Sequence, residues 1–301
     1  MRAHTYSGYL TLLFAVCAVF LFPSKASAYL MGDGGCTTDS VSITGISETS
    51  SGTPIYSGSL SATSCAGLFQ GINDGPANNP DPNIGELEDG FLNGEPVKTG
   101  PRTEDGLDPL TFIDSTELQA LSGDGIFDDP GWIHLAEIDA DSGTRYSFLD
   151  TLDLASVLDV SLVCNLGPPN DCKGGTWNLA VDPAAIAAVQ AILGPNSFDH
   201  LAFVFKSSTA VSIYDFDFID LAPAIGGGFN FATAYTFTGN WNMDDFQNPN
   251  NNNAQGYSHI SFWARDPADA ADGTEIPTPG TLVLFGLGLL LLLFRLRLGR
   301  A

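Results

Sequence analysis

Basic residues are scarce in this chain. Only 11 of its 301 residues are Lys or Arg, against 35 Asp and Glu, and five of the 11 lie near the ends: Arg2, Lys25, Arg295, Arg297 and Arg300. The stretch between them keeps six basic residues and a formal charge near −29. Such a surface repels phosphate backbones and anionic headgroups, which argues against nucleic acid as a partner. Histidine is sparse too: besides His4 there are His134, His200 and His259. No HExxH, HxH or nucleophile elbow surrounds them. Each stands alone in or beside an apparent strand, where a strand-surface or partly buried side chain is the expectation rather than a ligand. Carboxylates are so numerous that sequence spacing selects no acid/base pair. The expectation is therefore no catalytic residue and no enzyme. CxxC and clustered Cys/His spacings are absent, which leaves the cysteines no metal site.

Long hydrophobic runs are also missing from the body, but a short one stands at each end. Arg2 and His4 precede an apolar stretch over 10–22, too short to span a bilayer, and Pro23 follows. Ala26-Ser27-Ala28 then supplies the small-x-small pattern of a signal-peptidase site. Residues 1–28 are read as a signal peptide, with cleavage after Ala28 and with the Sec translocon and signal peptidase as partners. Of five cysteines, Cys17 leaves with that segment. Cys36, Cys65, Cys164 and Cys172 remain, an even set with three pairings. The local pairing Cys36 with Cys65 and Cys164 with Cys172 is expected, the second stapling the Pro-Pro turn over 165–171.

At the other end, Pro277-Thr278-Pro279 precedes an apolar run that includes Leu282, Leu284, Leu287 and Leu290, and Arg295, Arg297 and Arg300 close the chain. Residues 281–294 make about 21 Å of helix at 1.5 Å per residue. Leu296 and Leu298 extend it while the arginines snorkel, giving a membrane helix over about 281–298. Terminal arginines put that end in the cytoplasm and the acidic body outside. Motif, apolar helix and basic end in this order resemble the PEP-CTERM sorting signal of Gram-negative bacteria, here with Thr278 in place of the family's central Glu. The resemblance implies an exosortase partner, an inner-membrane intermediate, and delivery to the cell surface or an exopolysaccharide matrix. The segments 62–67 with 71–74, 203–206 with 211–214, and 256–263 also look like a body recurrent on such proteins.

Between the targeting segments, short apolar runs alternate with Gly, Pro, Asn and Asp breakers, the pattern of a mainly β body. A jelly-roll-like β-sandwich with one short helix is the expectation. It divides into a first part over 29–122 with long acidic loops and a main part over 123–272, before the tail at 273–301. Val41, Ile43 and Gly45 alternate as a strand, whereas 73–95 reads as a long surface excursion. Trp132 opposes Ile133 and Leu135 on a second strand. Leu158, Val160, Leu162 and Cys164 share one face of a third, with 176–179 returning. Asp182-Pro183 opens a helix that ends at Gly194. Segments 201–206 and 209–219 form a hairpin. The apolar parity switches between Val211/Ile213 and Phe216/Phe218, which predicts a bulge near Tyr214 or Asp215. Strands near 235–241 and 258–263 complete the set, and 248–253 reads as a loop.

Two acidic strings are calcium candidates, one through Asp124 and Asp128 and one through Asp139 and Asp141, although Thr144 stands where an EF-hand needs glycine. Turn formation accounts for both strings as well. The function read from the sequence is thus a non-catalytic, exported surface or matrix protein. The alternative is a carbohydrate-binding module that presents Trp132, Trp177, Trp241 or Trp263.

Overall fold

The computed structural model describes residues 35–70, 80, 82–95, 107–119, 121, 126–168, 171–194, 197–248 and 250–265. The chain is mainly β, with two antiparallel sheets facing each other. One sheet has the order β2-β1-β12-β9-β8: Pro54–Ser61, Val41–Glu48, Tyr235–Asn242, Gly174–Val181 and Leu158–Leu166. The other has the order β3-β11-β10-β13-β4-β5: Ser64–Gln70, Ala210–Asp217, His200–Lys206, His259–Arg265, Trp132–Asp139 and Gly143–Tyr146. A small ladder pairs β6 (Phe148–Leu149) with β7 (Leu152–Asp153). β1 joins β12 and β3 joins β11, so the first part of the body is built into both sheets.

Apolar side chains fill the space between the sheets. Phe203 on β10 meets Trp177 on β9 at 4.9 Å and Phe262 on β13 at 4.8 Å, each ring tilted or edge-on to it. The parity expected for β8 holds, with Val160 buried while Asp159 and Ser161 are exposed; in β4 it holds for Ile133 and Leu135, but an irregularity against β13 then turns Ala136 and Ile138 to this core in place of Glu137.

The segments 82–95 and 107–119 form a third layer. Phe91, Leu92, Leu107 and Ile113 pack on the outer face of the second sheet, against Trp132, Val204, Val211, Ile213 and Trp263. The surface excursion expected over 73–95 is therefore corrected for its described part, since Asn83 and Asn93 are fully buried. Their amides continue the ladder of β4 beyond the end of β5. Asn83 donates to His134 O at 3.0 Å while its Oδ1 accepts from His134 N at 2.9 Å. Asn93 does the same for Trp132, at 2.7 and 3.1 Å. A strand edge is thus satisfied by two side chains. Gly90, at φ +100°, is required here, because a Cβ would stand 2.8 Å from the Trp263 ring.

With both faces covered, β10 and β13 are buried along their whole length and β11 up to Asp217. The parity switch in 209–219 therefore needs no bulge at Tyr214 or Asp215. The β10–β11 register runs unbroken, and the irregularity lies at Val211/Ser212 against β3. The strand also stops short of Ile219. The Asp217 carboxylate accepts from Ile219 N and Asp220 N and caps a second helix, α2 (Phe218–Ile225), where one helix was expected. The expected helix is α1 (Pro183–Leu193), capped by Asp182 on Ala184 N at 2.7 Å, and it links β9 of one sheet to β10 of the other.

Both expected disulfides are present, Cys36–Cys65 and Cys164–Cys172. Their loops differ in length, with separations of 29 and 8 residues. On chain entropy, removing the first by a double Cys→Ser change should lower unfolding stability by about 3.5 kcal/mol, and removing the second by about 2.5 kcal/mol. Urea melts of the two variants check both the sizes and their order.

Candidate functional site

All residues singled out for targeting, and one calcium candidate, lie outside the described residues. These are Ala26, Ala28, Pro277, Thr278, Pro279, Leu282, Leu284, Leu287, Leu290, Arg295, Arg297 and Arg300, and Asp124 of the calcium candidates. Asp139 and Asp141 sit at the β4–β5 hairpin. There the Asp139 carboxylate accepts from Asp141 N at 2.8 Å and Ser142 N at 3.0 Å, which is turn chemistry. Asp128 donates its backbone N–H to Gln119 O beside an isolated bridge. Asp128, Asp139 and Asp141 belong to no cluster of three metal-ligating groups among the described residues. Among the described residues the one such cluster is Glu117, Asp199 and His200. The four tryptophans are 1–3% exposed, so none presents a stacking face to solvent.

What the fold does assemble is a buried polar row between the second sheet and its cover. His200 opens β10, and Asp215 lies diagonally across on β11. The ring Nδ1 stands 3.0 Å and 3.1 Å from the two Asp215 oxygens. Asp199, just before β10, lies with its Oδ1 4.0 Å from His200 Nε2. Arg265, at the end of β13 and fully buried, donates Nη1 to both Asp199 oxygens at 3.2 and 3.3 Å. It also donates Nε to Pro130 O at 3.1 Å and Nη2 to Glu117 O. One guanidinium thus ties the sheet to the covering segment. Glu117 ends a 3₁₀ turn, Ser115–Glu117, whose capping box with Asp114 fixes its carboxylate. Burial alone would pull His200 down, but the carboxylates around it, Asp215 foremost with Asp199 and Asp217, together outweigh it and hold the ring at about 9. Burial pushes the Asp199 carboxyl up, against the pull of His200 and Arg265.

No family model, curated protein or solved structure matches the chain.

A second imidazole lies under the same cover. His134 Nδ1 and Ser147 Oγ are at hydrogen-bonding distance, the geometry of a nucleophile and its base. Both residues are 1% exposed, and burial, with Arg145 and His259 adding to it, pulls His134 down to about 3. A base that weak, sealed from substrate, activates nothing at neutral pH. Glu137, also buried, pairs with Arg145 and faces His259 Nε2 at 4.0 Å. All three mature histidines are therefore buried, where a strand-surface or partly buried place was expected. For His134 and His200 the cause is the cover, through Asn83 and Glu117. Sequence alone gave no sign of it, because a buried ion-pair row and a solvated one use the same residues.

An apolar cavity of about 140 Å³ opens at one end between the sheets, lined by Leu154, Val157, Ile186, Val189, Phe229 and Phe237 among others. It leaves the half-buried face of α1 only partly covered. No charged residue other than His200 borders it.

Proposed function

We propose that this chain is an exported, non-catalytic cell-surface or extracellular-matrix protein of a Gram-negative bacterium, carrying a PEP-CTERM-like sorting tail. The observation that carries the reading is the terminal order of Pro277-Thr278-Pro279, apolar run and Arg295, Arg297 and Arg300. The body supports it. All four cysteines that survive signal-peptide removal are paired, which points to an oxidising, extracytoplasmic compartment. The acidic excess keeps the exported domain soluble and away from anionic surfaces. We read the two sheets as a jelly-roll-like sandwich that acts as a structural or adhesive module, held in the inner membrane by its tail until an exosortase releases it toward the envelope or exopolysaccharide. Carbohydrate binding through tryptophan platforms loses its footing, because those side chains are core.

The test is the C-terminal peptide of the protein recovered from envelope and medium, read by mass spectrometry in cells with and without their exosortase. An end near Pro277 or Thr278 that depends on the enzyme is expected. An intact arginine tail in both strains would instead make the protein a single-pass membrane protein and overturn the sorting reading.

A further inference from the structure

We propose that Glu117, Asp199 and His200 bind one divalent first-row transition-metal ion, which fastens the covering segment to the second sheet. Their ligand atoms lie within 4.8 Å of one another. Asp199 Oδ1 and His200 Nε2 are 4.0 Å apart, a span that two ligands each about 2.1 Å from a common ion can make.

The second observation is the imidazole itself. His200 is 3% exposed, and its Nε2 is buried without a hydrogen-bond partner, although the nitrogen faces the Asp199 carboxylate. A buried ring nitrogen is normally satisfied, and this one stands within the cluster. On the far side of the ring, the Asp215 carboxylate accepts from Nδ1 and holds the imidazole in place, so that an arriving ion displaces the proton on Nε2 and takes its lone pair. A carboxylate behind a histidine is the usual outer partner of a metal-bound imidazole.

Charge points the same way. Asp199, Asp215 and Glu117 bring three carboxylates together, and Arg265 supplies one guanidinium, so two negative charges remain to be balanced once the ion has displaced the ring proton. A divalent ion supplies that balance. Arg265 does not block it, because a carboxylate oxygen that accepts from Nη1 keeps a second lone pair. Glu117 has one oxygen engaged by Asp114 N and a second for the ion. One imidazole with two carboxylates is a donor set for zinc or manganese rather than for calcium, which takes oxygen alone. The site is separate from both acidic strings read as calcium loops, and it spans the cover (Glu117) and the sheet (Asp199, His200).

The experiment uses the full-length exported protein, stripped with chelator, exposed separately to Zn²⁺ and Mn²⁺, desalted, and assayed by elemental mass spectrometry with parallel thermal melts. One ion per chain and a raised melting temperature are expected for at least one metal. Glu117→Gln and His200→Gln should each weaken retention by about ten-fold or more, while His259→Gln keeps it. Glu117 is only partly buried, so its variant stays informative if His200→Gln fails to fold. Uptake of neither ion, or equal retention by wild type and Glu117→Gln, overturns the proposal.

Discussion

Replacing Arg265 by Met should cost about 3–5 kcal/mol of unfolding stability, read by urea denaturation at neutral pH. The side chain is fully buried and uses all three guanidinium nitrogens, on the Asp199 carboxylate and on the carbonyls of Pro130 and Glu117. Methionine fills much of the volume but leaves Asp199, only 4% exposed, without its hydrogen-bonded guanidinium, and leaves two carbonyls without their donor. Removing both ends of the ion pair, as in Arg265→Met with Asp199→Leu, should recover much of the loss, because an absent charge has no desolvation penalty. A single variant that loses under about 1 kcal/mol, or a double variant as unstable as the single, would show that the guanidinium does not hold the cover in place.

Arg265 also marks where sequence reading stops. Alternation at Leu158 and Val160 is legible because one face of β8 meets solvent, Val41 and Ile43 alternate with Ser and Thr in β1, and the Asp182-Pro183 start of α1 is a local signal. β10, β11 and β13 are legible as strands but not in their facing, since a cover over the outer sheet removes the polar half of the pattern. β2 passes unnoticed because Ser and Gly make up half of it, and β3 because its apolar residues Cys65, Ala66, Leu68 and Phe69 do not alternate. The cover itself hides in its composition. Asn, Asp, Gly and Pro over 80–95 serve a solvated loop or, as Asn83 and Asn93 do, the edge of a strand, and only tertiary contact decides between them. The charged row is illegible for the same reason. His200 and Asp215 meet through the register of a hairpin, whereas Glu117 and Arg265 meet only when the cover closes.

Acid should loosen the body through His134. Its folded-state value is about 3 against an ordinary 6.5, so between those limits the unfolded chain binds more protons than the folded one. The neutral ring's contribution is then fully present above pH 6.5 and is lost as pH falls toward 3. At 1.36 kcal/mol per unit, the whole span is worth about 5 kcal/mol. The ring packs edge-on against Trp263 at 4.8 Å, with Ser147 on its Nδ1. Phenylalanine keeps that packing without a titrating group. The double variant His134→Phe with Ser147→Ala therefore removes the titration without stranding the hydroxyl. Carboxylates titrate in both proteins over the lower part of this range, so the informative quantity is the difference in stability between wild type and variant, followed by urea melts from pH 7 to the lowest pH at which both fold. That difference should move in the variant's favour by several kcal/mol as the solution is acidified. A difference that stays constant with pH would mean that the ring is hydrated and protonated in the folded protein, and that the covering layer does not seal this face of the sheet.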